Sequence, residues 1–86
     1  KKGRQTLFRE IASMPRAVVF YESPHRIGKA LASLSEVLPL GRTVTVAREL
    51  TKIYESVVQG SPQEVEEYFK AHPGEERGEF VVIVSP

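Results

Sequence analysis

The chain has 86 residues, which suffices for one small domain with a modest core. Its net charge is +1 and it has no cysteine, which excludes thiolate chemistry and cysteine-based zinc sites and indicates a cytoplasmic protein. No apolar run approaches the ~20 residues that a membrane-spanning helix needs, so we expect no membrane contact. Because the chain starts at Lys1 rather than Met and stops just after an apolar strand, we expect a piece of a longer protein.

The first half of the chain predicts a helix, a strand and a second helix. Residues 3–13 place apolar side chains on one face at helical spacing. Residues 17–21 form an apolar, β-branched and aromatic run, as in a buried strand. Ser23 and Pro24 are typical of an N-cap and a first helical residue, and an i, i+3, i+4, i+7 pattern continues this second helix until Pro39.

The second half predicts three strands and one more helix. Residues 43–48 alternate and are β-branched, and residues 54–59 give a further strand. Ser61 with Glu64 three residues later predicts a capping box at the start of the third helix. Residues 80–84 form a last, fully apolar strand.

The predicted order α-β-α-β-β-α-β indicates one small α/β domain over residues 1–86. The first strand, the helix after it and the next strand read as a parallel βαβ unit. Strands that are apolar on both sides predict a mixed sheet with helices on both faces.

Two polar clusters, residues 21–26 and residues 48–52, follow the first and second strands. If these strands are parallel, both clusters lie at the same edge of the sheet, where α/β proteins bind ligands. Each polar residue also has a structural explanation, such as helix capping by Ser23 or an ion pair of Arg48. The two histidines lack metal-ligand spacing, and there is no glycine-rich phosphate loop, so we expect no metal site.

Residues 1–29 carry seven basic and two acidic groups, which fits either a polyanion-binding edge or a solvated basic arm.

Four segments resemble one known family. Residues 20–26 are similar to its FYESPHR signature, residues 47–52 to its ARELTK block, and residues 78–81 to its terminal GEFV strand. Residues 1–4 resemble the end of the segment that joins its two domains. The chain thus resembles the ribosomal RNA small subunit methyltransferase I family of the tetrapyrrole-methylase superfamily.

The resemblance implies the C-terminal half of a two-domain fold, with S-adenosyl-L-methionine bound in the cleft between the domains. The N-terminal domain is then absent from this chain, and the 86 residues alone are expected to be inactive. The implied reaction methylates the ribose 2′-hydroxyl of a cytidine in small-subunit ribosomal RNA. Superfamily members pair as homodimers, so the longer protein is expected to dimerise.

The resemblance also assigns residue roles. The cofactor contacts that it implies are Tyr21, Glu22, Glu49 and Leu50. The candidates for RNA contact are Arg4, His25, Arg26 and Arg48. A ribose hydroxyl must lose a proton during methylation. The base that accepts this proton could be Glu22, His25 or Glu49, and the sequence does not distinguish among them.

Two alternatives remain open at this point. A tetrapyrrole (corrin or porphyrin) methylase would share the fold, but it needs a broad apolar trough rather than a basic arm with Glu22, His25 and Arg26. A non-catalytic RNA- or nucleotide-binding module would bind tightly by itself, whereas half of a cofactor cleft would bind weakly.

Overall fold

The computed structural model describes residues 2–49, 54–72 and 78–86, and these contain three helices and four strands. The helices are α1 (Lys2–Ser13), α2 (Ile27–Val37) and α3 (Pro62–Ala71). The strands are β1 (Val18–Glu22), β2 (Val44–Glu49), β3 (Tyr54–Gly60) and β4 (Glu79–Val84). The α/β class and the element order are confirmed.

The four strands form one sheet in the order β1-β4-β2-β3, and every neighbouring pair is antiparallel. The predicted mixed sheet is therefore wrong in its pairing. Strands β1 and β2 do run in the same direction, but β4 lies between them, so they form no parallel pair. β4 is apolar at all positions after Glu79, which suits a strand flanked on both sides.

The helices cover one face of this sheet, so the prediction of helices on both faces is wrong as well. Alternate residues of β2 and β4 are buried in a single core cluster with residues of all three helices. The opposite face is open: Val19 is 58% exposed, Tyr21 73% and Val57 62%. An antiparallel sheet can leave one face to solvent, whereas a parallel sheet is normally covered twice. Apolar residues on the open face concealed this alternation in the sequence.

The core lies between the helix layer and the sheet, and its helical residues are largely those that the apolar periodicity predicts. Its fully enclosed members include Ile11, Ile27, Leu31, Leu34 and Val65. The ring of Phe69 in α3 packs edge-on against Phe80 of β4, with centroids 5.5 Å apart. The capping box of α3 is confirmed, because the Ser61 hydroxyl accepts from the Glu64 amide and the Glu64 carboxylate accepts from the Ser61 amide.

One buried charge ties the ends of two elements together. Arg42 is only 8% exposed and lies just before β2. Its Nε donates to the carbonyl oxygen of Ser85, and its Nη1 donates to the carbonyl oxygens of Ala12 at 3.0 Å and Ile11 at 3.4 Å. Carbonyls of a helix's last turn have no partner within the helix, so Arg42 caps the C-terminal end of α1.

No helix in the described part of the chain is long and apolar enough to cross a membrane.

Candidate functional site

The carboxyl ends of β1 and β2 lie at the same end of the sheet, with β4 between them. The sequence predicts this shared end for two strands that run in the same direction. Glu22 and Arg48 both lie opposite Phe80 of β4 in the strand register. Residues paired across neighbouring strands point to the same face, so these three side chains form a row on the helix-covered side. We call Glu22, Phe80 and Arg48 the strand-end row. With strands ~4.8 Å apart, the Cα atoms of Glu22 and Arg48 are about 10 Å from each other.

The carboxylate of Glu22 is enclosed by the fold. The residue is 4% exposed, and its Oε1 accepts a hydrogen bond from the backbone amide of Ser23 at 3.2 Å. Arg48 is half-buried, with its Nε enclosed. The carboxylate of Glu22 is therefore held within the fold, and the side chain of Arg48 is partly so.

The four residues predicted to bind cofactor do not share one face. Tyr21 alternates with Glu22 along β1, so its ring lies on the open face of the sheet, where it is 73% exposed. Glu49 ends β2, with its backbone opposite Glu79 of β4. Leu50 lies outside the described residues.

The turn after β1 carries the predicted RNA-contacting residues His25 and Arg26. The carbonyl oxygen of Ser23 accepts from the amides of both Arg26 and Ile27, each at 3.0 Å. The first of these bonds closes a tight three-residue turn of 3₁₀ type, so the regular helix α2 begins at Ile27. Arg26 occupies the N-cap position, and the predicted N-cap at Ser23 lies one turn too early.

Both side chains are exposed and border a groove. This α1–α2 groove has a volume of about 630 Å³, and its polar lining residues are Gln5, His25, Arg26, Lys29 and Ser33. The buried ring of Phe8 and the side chain of Ala30 give it an apolar floor. Of the described residues that line it, none is acidic. The groove collects two of the basic residues that the sequence places in the first third of the chain, Arg26 and Lys29.

Comparison with known proteins finds relatives that share one name. No protein-family model matches the chain. Curated proteins do: one from Xylella fastidiosa is 37% identical over 82 residues, which is 95% of this chain. One from Vibrio cholerae is 40% identical over 84 residues, and one from Neisseria meningitidis serogroup A is 36% identical over 83 residues. All three are named ribosomal RNA small subunit methyltransferase I. Over the part that it spans, the chain is similar to these methyltransferases.

The chain spans only about 30% of the length of these relatives. In the Xylella protein the matched part is 30% of the whole, in the Vibrio protein 29% and in the Neisseria protein 28%. The residues described above therefore correspond to less than a third of a ribosomal RNA small subunit methyltransferase I, and a site shared with the remainder would be seen here from one side only.

Within the chain, the structure brings together some of the predicted residues and separates others. Glu22 and Arg48 share the strand-end row, whereas His25 and Arg26 border the α1–α2 groove. Arg4 lies in the first part of α1, and its side chain is outside the described part. No group of three or more metal-binding side chains occurs among the described residues.

Sequence reasoning missed the contribution of Lys29, Gln5 and Ser33 to the groove. Lys29 follows Arg26 by three residues and Ser33 follows Lys29 by four, so helical spacing places them along one side of α2. That signal was present. The approach of α1 to α2, which brings Gln5 opposite them, has no local signature in the sequence.

Proposed function

We propose that residues 1–86 are the C-terminal subdomain of an S-adenosyl-L-methionine-dependent enzyme that methylates the ribose 2′-hydroxyl of a cytidine in 16S ribosomal RNA. The observation that carries this proposal is the similarity, over 95% of the chain, to proteins named ribosomal RNA small subunit methyltransferase I. The basic α1–α2 groove supports it, because phosphate contacts supply much of the affinity of RNA-binding proteins.

The end of β1 fits one side of a cofactor cleft. β1 is an edge strand, so within the described part of the chain its outer backbone groups pair with no other strand. The proposed holders of S-adenosyl-L-methionine are Tyr21, Glu22, Glu49 and Leu50, with backbone groups near Glu22 and Leu50 meeting the adenosine. Tyr21 is exposed at this edge and is free to cover a bound ligand. The cofactor supplies an electrophilic methyl group when it is bound.

Of the two candidate bases whose side chains the structure describes, His25 has better access than Glu22. A ribose hydroxyl must give up its proton as its oxygen is methylated, and a base must come within hydrogen-bond reach of it. The imidazole of His25 is exposed on the turn after β1, whereas the carboxylate of Glu22 is enclosed and bonded to the Ser23 amide. We therefore propose His25 as the base that this subdomain contributes, and Glu22 as a residue that orders the turn.

The experiment uses the longer protein in the source organism. Its gene is deleted, and small-subunit ribosomal RNA is examined by mass spectrometry for a missing ribose methyl group. The gene is then restored as wild type, as His25→Gln, as Arg48→Gln, or as the control Arg16→Gln, which changes an exposed residue outside both sites. Wild type and Arg16→Gln are expected to restore methylation, and His25→Gln and Arg48→Gln are expected to reduce it.

Each outcome tests a different part of the proposal. An unchanged methylation pattern after deletion rejects the ribosomal substrate and favours a tetrapyrrole methylase. Full methylation by His25→Gln removes His25 as the base and leaves the substrate assignment intact. Equal loss in Arg16→Gln would show that the variants act through protein abundance, which an immunoblot of each strain measures.

The cofactor, the oligomer and the compartment are proposed on the same basis. S-adenosylhomocysteine titrated calorimetrically into the longer protein is expected to bind far more tightly than into the 86 residues, which are expected to be inactive alone. Micromolar binding by the 86 residues would contradict a cleft shared between two domains. We propose a homodimer, which light scattering of the longer protein tests, and a cytoplasmic location, which fractionation tests.

A further inference from the structure

The α1–α2 groove has a lining of its own, which includes no residue of the strand-end row. Helix α1 contributes Gln5 to one wall and Phe8 to the floor; the two are three residues apart and therefore lie on the same side of the helix. The other wall comes from α2, where Lys29 and Ser33 are four residues apart. Arg26 stands at the start of α2, on the turn that leads in from β1. Two packed helices and one turn thus fix the position of the lining.

The chemistry of the lining changes from floor to rim. Phe8 and Ala30 are 2% and 1% exposed, so the floor is apolar and buried. Arg26 and Lys29 are exposed at the rim and bring two permanent positive charges. Gln5 and Ser33 add an amide and a hydroxyl, which can both donate and accept hydrogen bonds. Among the described lining residues no carboxylate offsets the two charges.

This combination favours a nucleotide over a simple anion. A groove of about 630 Å³ falls in the range of small-molecule sites and is larger than a phosphate requires. Guanidinium and ammonium groups suit phosphodiester oxygens, and the guanidinium can bind two of them at once. An apolar floor with amide and hydroxyl neighbours suits an unstacked base, which proteins read in single-stranded RNA.

We propose that the α1–α2 groove binds a nucleotide of single-stranded RNA, with its phosphates on Arg26 and Lys29 and its base toward Phe8, Gln5 and Ser33. This deepens the proposed function and rests on it, since it names the part of the subdomain that holds the RNA strand. Lys29, Gln5 and Ser33 enter as binding residues alongside Arg26.

The test measures binding of a fluorescein-labelled cytidine hexaribonucleotide to the 86-residue chain by fluorescence anisotropy at several salt concentrations. The variant Arg26→Gln/Lys29→Gln removes both rim charges. The matched control Arg16→Gln/Lys70→Gln removes two exposed charges outside the groove. The salt slope is the change in the logarithm of the binding constant with the logarithm of the salt concentration. Losing two phosphate contacts on a single strand is expected to reduce the magnitude of this slope by about 1.4. A fourfold rise in salt then weakens wild-type binding about sevenfold more than it weakens the variant's binding. The control keeps the wild-type slope.

A second measurement locates the RNA on the surface. In a proton–nitrogen correlation spectrum, the hexanucleotide is expected to shift the amide signals of Gln5 and Ser33 in the wild-type chain but not in the rim variant. Hexaglutamate serves as a competitor of similar charge and is expected to displace RNA poorly.

Three results would overturn the proposal: no binding by the wild-type chain, equal slopes for the rim variant and the control, or displacement by hexaglutamate as effective as that by unlabelled RNA. The last result would make the groove a site for acidic peptides. None of these measurements requires cofactor or methyl transfer. If deletion leaves ribosomal methylation unchanged but the groove binds RNA, the proposed reaction alone is rejected. If methylation is lost on deletion but the groove does not bind RNA, the groove proposal alone is rejected.

Discussion

Replacing Arg42 with methionine is expected to destabilise the domain by about 2–4 kcal/mol. Arg42 is buried, and it donates to carbonyl oxygens at the end of α1 and to Ser85 just after β4. Methionine keeps most of the apolar stem but has no donor. The carbonyls of Ile11, Ala12 and Ser85 would then lose a partner inside the fold.

The magnitude follows from the hydrogen bonds. A bond from a charged donor contributes a net of about 1.5–3 kcal/mol, and a part-buried acceptor left without this donor adds some desolvation penalty. The carbonyl oxygen of Ile11 keeps the amide of Met14 as a donor at 3.1 Å. The contact with Ile11 is long at 3.4 Å, and Nη2 of Arg42 has no hydrogen-bond partner among the described residues, so only part of the arginine contributes. A domain of this length has roughly 4–13 kcal/mol of stability in total, so the loss is a large share of it.

Urea unfolding followed by far-ultraviolet circular dichroism measures the effect on the 86-residue chain. Arg42→Lys keeps the charge and one donor group, so its loss is expected to fall between wild type and Arg42→Met. Arg16→Met removes an exposed arginine in the turn after α1 and is expected to change stability by less than about 0.5 kcal/mol. An Arg42→Met variant as stable as Arg16→Met would refute the view that Arg42 clamps α1 to the end of β4.

Three further substitutions test the local energetics, each by thermal or urea unfolding. Ser61→Ala removes the hydroxyl that accepts from the Glu64 amide at 3.1 Å and is expected to cost about 1 kcal/mol; no loss would contradict the capping box. Leu34→Ala leaves a cavity at a fully buried position of α2 and is expected to lower the free energy of unfolding by about 2–5 kcal/mol. A decrease below about 1 kcal/mol would show that neighbouring side chains close the cavity. Gly41→Ala places a methyl group at φ +92°, with no heavy atom beyond its chain neighbours within 4 Å of it. The expected decrease in unfolding free energy of about 1 kcal/mol is therefore due to backbone strain alone. An unchanged unfolding midpoint would contradict that strain.

The candidate site was only partly readable from the sequence. The polar residues Glu22 and Arg48, near the carboxyl ends of β1 and β2, do lie at the same end of the sheet, because both strands run in the same direction. Their exposure was not predictable. Glu22 ends on the covered face and Tyr21 on the open face, because strand alternation assigns neighbours to opposite sides. Which side is covered depends on where the helices pack.

The starts of two helices also differ in how well the sequence predicts them. The start of α3 was predicted correctly from Ser61 and Glu64, because the capping hydrogen bonds join residues three positions apart. The start of α2 was placed one turn early, because the Ser23 carbonyl closes a tight turn before the regular helix begins.

The sequence by itself determined the α/β class, the order of the seven elements and most of the core face of each helix, since these depend on short-range periodicity and capping. Only the tertiary structure decided that β4 lies between β1 and β2, that one sheet face stays open, and that α1 and α2 enclose a basic groove. Arg42 shows the reason most directly: its carbonyl partners lie at least 30 residues away along the chain, and no local pattern encodes a contact over such a separation.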